Sequence, residues 1–243
     1  RCGGGGGAGG LIYNSSYPVI PGTNVTNIVV GTGGAGGVYN VDRAHGANGV
    51  NSSFGTLNAK YGGGGGGAPQ TTVSAEQQGN DGGSGGGEAV SQLTSDTSTG
   101  GAGFAGQGYL GGLNYPSSTD TQRGSGGGGG ATAMGGNATV SVRGEGGAGY
   151  TSSISGSSVT YATGGPGGHV GTGATGADGT DAEGDGGGGA ISSTVLSYAG
   201  GAGGDGIIII NYTTPCWTKV GDIISIPTGC VYKINTGSSY ACG

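Results

Sequence analysis

Apolar residues along this chain come in short clusters, and glycine separates them. Leu11-Ile12-Tyr13, Val25-Thr26-Asn27-Ile28-Val29-Val30, Val140-Ser141-Val142, Val159-Thr160-Tyr161 and Val195-Leu196-Ser197-Tyr198 combine β-branched and aromatic residues over strand-like lengths. Val220–Ile226 and Cys230–Ile234 predict two further strands. Pro21-Gly22 marks a turn between two of the early clusters. No stretch holds a 3.6-residue apolar period over three turns, so the pattern predicts essentially no α-helix.

Between the strands lie ten glycine blocks, near 3–10, 31–37, 62–67, 82–87, 100–112, 124–130, 144–149, 164–168, 184–189 and 200–206. Each glycine inside an α-helix costs about 1 kcal/mol, which removes helix as an option for the blocks. Two alternatives stay open. A glycine block is a flexible linker, or it is one strand of an ordered bundle. Polyproline-II-like helices have three residues per turn and no internal hydrogen bonds. Without Cβ atoms they pack side by side and satisfy one another's N–H and C=O groups, giving a core of peptide on peptide. The fold expected is therefore mainly β with polyglycine II helices.

Composition narrows the function classes. Of 243 residues 70 are glycine, while Leu, Ile, Val and Phe together number 37. That is too little for a conventional apolar core, yet the net charge of −6 is too small for a charge-swollen disordered chain. Seven Lys and Arg cannot neutralise many phosphates, so nucleic acid is not an expected partner. Collagen is excluded because the Gly-X-Y phase holds only over stretches such as Gly173–Gly179. The longest apolar run, Ile207–Ile210, is far below the roughly 20 residues of a membrane span. The chain opens at Arg1 with no initiator Met or signal peptide, as a processed product or a fragment would. Only four glycines follow Gly206, which divides the chain into a glycine-rich domain, 1–212, and a C-terminal β extension, 213–243.

Cys2, Cys216, Cys230 and Cys242 are even in number and lack CxxC spacing, so two disulfides in an oxidising compartment are expected ahead of a zinc or redox site. Asn14, Asn24, Asn51, Asn137 and Asn211 begin Asn-x-Ser/Thr sequons and are the expected glycan acceptors. Both features point to an extracellular surface.

The order of landmarks also resembles a known family. Gly31-Thr-Gly-Gly-Ala-Gly-Gly37, Gly49-Val-Asn-Ser-Ser-Phe-Gly55, the run Gly62–Gly67, Ser152–Tyr161 and Gly203-Gly-Asp-Gly-Ile-Ile-Ile-Ile-Asn-Tyr212 are similar to the glycine-rich domain of many bacteriophage tail-fibre and receptor-binding proteins. The resemblance covers residues 3–212 and implies a jelly-roll-like β-framework from which a glycine bundle emerges, with its last strand in Gly203–Tyr212. Only Arg1-Cys2 precedes the first block, where the family usually has a strand, and Thr213–Gly243 lies beyond its usual end. Strand addition between copies would complete such a fold; a small disulfide-stapled appendage is the alternative.

Chemistry-bearing motifs are sparse. Gly31-x-Gly33-x-x-Gly36 matches the dinucleotide fingerprint without the helix that makes it work. Gly200–Ile208 fits one copy of a calcium-binding nonapeptide, a device that needs stacked copies. Asp178, Asp181, Glu183 and Asp185 form an acidic cluster, read as a hard-cation site or a solvated loop. Asp42, Arg43 and His45 suggest an acid–base trio without a nucleophile, with His45 expected at a loop tip; His169 is the other histidine. Of twelve tyrosines, Tyr13, Tyr17, Tyr39, Tyr61, Tyr109, Tyr115, Tyr150, Tyr161 and Tyr198 flank glycine blocks and would cap a bundle or stack on sugars. The expected function is a non-enzymatic extracellular structural protein, a subunit of a self-assembling fibre or filament without a cofactor. The alternative is a tail-fibre receptor-binding adhesin, followed by a secreted antifreeze or wall-associated glycine protein. The expected partners are further copies of the chain, or a cell-surface glycan or protein receptor.

Overall fold

The computed structural model describes residues 2–20, 24–38, 44–68, 77–90, 99–117, 119, 122–192 and 198–211, with the backbone of 231–235. No α-helix occurs among them, and strands are few and short. Nearly everything else is extended glycine-rich chain bonded to other extended chain. The segment 2–10 shows the rule. Gly4, Gly7 and Gly10 donate N–H bonds to the carbonyls of Gly66, Gly63 and Lys60; Gly5 and Ala8 donate to Gly126 and Gly129; Gly6 and Gly9 donate to Gly187 and Gly184. Each direction is served every third residue, so one segment addresses three neighbours in rotation. Its carbonyls serve two more: Ser84, Gly87 and Val90 donate to Ala8, Gly5 and Cys2, while Gly165 and Gly168 donate to Gly6 and Gly3.

A β-strand cannot do this, because its period of two sends hydrogen bonds only to left and right. A chain with three residues per turn sends them around its axis. The same three-residue step joins Gly200, Gly203 and Gly206 to Gly37, Gly34 and Gly31, and joins Gly144 and Gly147 to Ser125 and Gly128. The first pairing is antiparallel and the second parallel, so the packing accepts either direction.

Apolar burial contributes little. The buried apolar residues are Cys2, Ala8, Ala89, Val90, Ala138, Tyr161, Ala162 and Ala190, mostly the size of alanine. Ile20, Val19, Val38 and Met134 are exposed. The core is the peptide group, and glycine is what admits it. A Cβ added to Gly4 would press on the Gly87 carbonyl, and one added to Gly128 on the Gly6 carbonyl. At the rim the requirement relaxes to every third residue: Gly173, Gly176 and Gly179 are half-buried, while Ala174, Thr175, Ala177 and Asp178 face solvent. The short Gly-X-Y stretch is thus an outer segment showing one face to the bundle.

Three two-stranded antiparallel sheets complete the described structure. β1 (Ser52–Phe54) and β2 (Leu57–Ala59) are joined through Gly55, whose φ of 58° suits the first central position of a tight hairpin turn. β3 (Tyr150–Ser152) pairs with β4 (Val159–Tyr161), and β5 (Ile207–Asn211) with β6 (Val231–Asn235) in the register Ile207↔Asn235. β4, β5 and β6 answer to expected strands. Leu11–Tyr13 is not a strand, Val25–Val30 contributes only a bridge from Val29 to Ser53, and Val140–Val142 lies in a turn with Ser141 at φ 59°. Pro21-Gly22, Val195–Ser197 and Val220–Ile226 lie outside the described residues.

Two glycine-to-alanine changes are expected to have opposite signs. Gly128→Ala drives a methyl into a carbonyl and should lose about 1–3 kcal/mol. Gly9→Ala has no atom nearer than 3.6 Å to its new Cβ and no left-handed φ, so it should gain about 0.4–1 kcal/mol through the unfolded chain. Denaturant midpoints of the two variants check both signs.

Candidate functional site

Five neighbours surround residues 2–10 and touch one another in sequence, while Leu11 N–H turns aside to the Gln107 carbonyl (2.9 Å). Gly63 and Gly66 bond Ser84 and Gly87; Gly126 and Gly129 bond Glu88 and Gly85; Ser125 and Gly128 bond Gly168 and Gly165; Gly186 and Gly189 bond Thr163 and Pro166. The shell runs 60–66, 84–90, 125–129, 163–168, 184–189 and stops. Between its two ends, where a sixth neighbour would stand, lies a channel of about 370 Å³.

Six segments close around that channel. From 2–11 the ring passes to 60–67 through Gly4 and Gly7, then to 44–50 through Gly46→Gly65 (3.0 Å) and Gly49→Gly62 (3.2 Å). It continues to 31–38 through Ala47→Ala35 (2.8 Å) and Val50→Thr32 (2.9 Å), and to 200–206 through Gly200, Gly203 and Gly206. Gly201→Gly188 and Gly204→Asp185, both 2.9 Å, lead to 184–190, and Gly6→Gly187 (2.8 Å) returns to the start. All six segments line the void, and no hydrogen bond among the described residues crosses it. A Cβ built on Gly9 or Gly203 meets only ring neighbours, at 3.6 and 3.5 Å.

One mouth of the channel is aromatic. Tyr13, Tyr17, Phe54, Tyr61, Tyr150 and Ile210 line it, beside all three hairpins. Tyr17 meets Phe54 edge-on at 5.2 Å and Tyr13 stacks obliquely on Tyr150 at 6.3 Å, so the rings brace β1 and β3 against the loop 12–20. These four rings thus pack against one another in two pairs. Tyr39 lies outside the described residues, and Tyr109 is exposed.

Side chains finish the network where a neighbouring backbone is missing. Asn48 and Asn51 Oδ1 accept from the N–H groups of Gly64 and Tyr61, each at 2.9 Å. The acidic cluster does the same work. Asp178 accepts from Ala202 N–H (2.8 Å), Asp181 from Asp205 N–H (3.1 Å) and Asp185 from Thr163 N–H (2.8 Å), while Asp205 accepts from Gly33 N–H (2.9 Å). These carboxylates stand in for carbonyls, and no group of three metal-ligating side chains forms among the described residues. The spacing of Asp178 and Asp181, three residues apart like their partners Ala202 and Asp205, was the sequence signal for this role. Burial first, then the adjacent Asp185 carboxylate, pushes the Glu183 carboxyl up; burial also pushes Asp185 up, against the bond from Thr163.

The remaining expected sites separate. Gly31–Gly36 and Gly200–Gly206 are extended segments bonded to each other, with no helix and no stacked turn. His45 is half-buried rather than at an exposed tip, as is His169, and Asp42 and Arg43 lie outside the described residues. Cys2, expected in a disulfide, is a free thiol only 1% exposed, held where its backbone pairs with Val90 and accepts from Ser125 Oγ (2.8 Å). Burial raises its pKa. Cys216, Cys230 and Cys242 lie outside the described residues. Among the sequons, Asn14, Asn24 and Asn211 are exposed; Asn137 is exposed with Oδ1 bound by Leu113 N–H, and Asn51 is half-buried in the bundle.

A family model described as a glycine-rich domain matches residues 1–213, a description that names no tail fibre. Neither a curated protein nor a solved structure matches the chain.

Two outcomes are expected. Cys2 should resist iodoacetamide in the native protein and react fully once unfolded, as peptide mass spectrometry reads directly. Because Glu183 and Asp185 hold protons more tightly folded than unfolded, their contribution grows as pH falls from neutral and is lost as pH rises through their folded values. Asp185→Asn keeps an acceptor for Thr163 and should flatten that part of a Tm-against-pH curve.

Proposed function

The chain belongs to the glycine-rich domain family, and from that premise we propose that its packed glycine segments are polyglycine II helices and that the protein is a non-enzymatic extracellular structural subunit of a self-assembling fibre. The observation that carries this reading is the segment 2–10, bonded through its backbone to five neighbours at a three-residue step. Such a core depends on chain packing rather than on a shaped apolar interior, and it extends by adding further extended chain. Asp178, Asp181 and Asp185 each accept a backbone N–H from a neighbouring segment, which supports a packing role for these carboxylates.

The tail fits the same reading. β6 lies antiparallel on β5 of its own chain in a five-residue register. The equivalent strand of another copy would form the same ladder, so exchange between copies needs no new pairing. Exposed Asn14, Asn24 and Asn211 are the sequons that glycans would reach first.

One observation favours the adhesin as a second reading. Three hairpins and a tyrosine cluster gather around one channel mouth, with Tyr13 60% exposed, as at a receptor-contacting tip.

Negative-stain electron microscopy of the purified chain separates the two. The fibre reading expects filaments that lengthen with concentration. A chain that stays monodisperse and binds whole cells would instead establish the adhesin. Removing residues 213–243 should leave the far-ultraviolet spectrum of the bundle unchanged and shorten or abolish the filaments.

A further inference from the structure

We propose that the channel is an acceptor site for one extended glycine-rich segment of a second copy of this chain. This rests on the fibre reading and names the partner and the contact. The argument is geometric. Around the segment 2–10 five of six positions are filled by extended chain, consecutive neighbours bonded to each other, and the channel is the sixth. A ring of six segments encloses it, which is the surrounding that a packed three-fold chain requires on every side.

The lining sets the chemistry of the occupant. The walls are backbone from Gly3–Gly10, Gly31–Gly37, Gly46–Gly49, Gly62–Gly67, Gly184–Gly189 and Gly200–Gly206, so what enters must offer N–H and C=O groups at the same spacing. Eight residues in this conformation span about 25 Å, the length of the lining segments. A helix is too wide and a strand with alternating side chains would meet wall on both faces. An extended run of glycine fits. The chain itself carries such runs, Gly3–Gly7 and Gly126–Gly130 among them, and each already fills an equivalent position in the bundle. Because the packing accepts parallel and antiparallel neighbours alike, the incoming segment has no preferred polarity to satisfy.

The test plugs the channel from inside. Gly9 and Gly203 face ring neighbours with room for a Cβ, so the double variant Gly9→Leu, Gly203→Leu fills the void without entering the packed shell. The probe is a synthetic peptide of residues 1–11 with Cys2→Ser, carrying a fluorophore. It is expected to bind the wild-type chain one to one and to cap growing filaments. The double variant, with an unchanged circular dichroism spectrum, should bind the peptide at least 100-fold more weakly and form no filaments. Gly9→Ala and Gly203→Ala, which leave the channel open, should behave as wild type and show that packing was not disturbed. Filaments from the plugged variant equal to wild type, or equal peptide binding by both, would overturn the acceptor site while leaving the fibre reading intact. If the wild-type chain forms no filaments the fibre reading fails, and peptide binding still reports separately on the channel. Purification of the chain with a sugar polymer or an unrelated protein in the channel would also overturn the proposal.

Discussion

Everything in this fold depends on the hydrogen bond between peptide groups of extended segments, repeated at every third residue. In an ordinary domain such bonds are organised into helices and sheets, and apolar side chains then hold those elements together. Here the bond holds the segments together directly. One such bond contributes a net ~1 kcal/mol, and a buried unpaired peptide group costs more than that, so close packing of the segments is strongly favoured. Glycine is the residue that lets them approach, as the carbonyl of Gly87 against Gly4 illustrates. The hairpins, the tyrosines and the acidic side chains are all placed relative to that packing.

The absence of α-helix among the described residues and the peptide-on-peptide character were legible in the chain, because glycine density and missing apolar periodicity leave few alternatives. β5 matches the last strand that the resemblance over Gly203–Tyr212 implies. β1, β2 and β3 could not be read, since Ser52–Phe54, Leu57–Ala59 and Tyr150–Ser152 are short and mixed, and their pairing comes from turns and from ring contacts such as Tyr17 on Phe54. Val140–Val142 shows the reverse failure. Its β-branched residues favour a strand locally, but the chain must reverse there between the segments 135–138 and 144–149, and the turn wins.

The site was harder to read. A channel walled largely by glycine has no motif, because the same glycines fill the rest of the bundle. Only the closure of bonds around six segments distant in sequence reveals it. The acidic residues carried a faint signal in their three-residue spacing, which matches the bonding repeat rather than any metal loop. Cys2 differs from its expectation: the even cysteine count argues for disulfides, and this thiol is free and buried, with its backbone paired to Val90, while Cys216, Cys230 and Cys242 lie outside the described residues.

The three-residue step has a mechanical side. Within an all-glycine run such as Gly62–Gly67, sliding one segment by three residues, about 9 Å, restores every bond it breaks and meets the same featureless walls. Alignment must then come from the few residues that are not glycine. Ala8, Ser84 and Ser125 are buried along these runs, and Asn48 and Asp178 tie neighbouring segments from the side. They act as pins in an otherwise smooth rail. Where pins are sparse the material yields by slipping and re-forming, and where they are dense it holds its length.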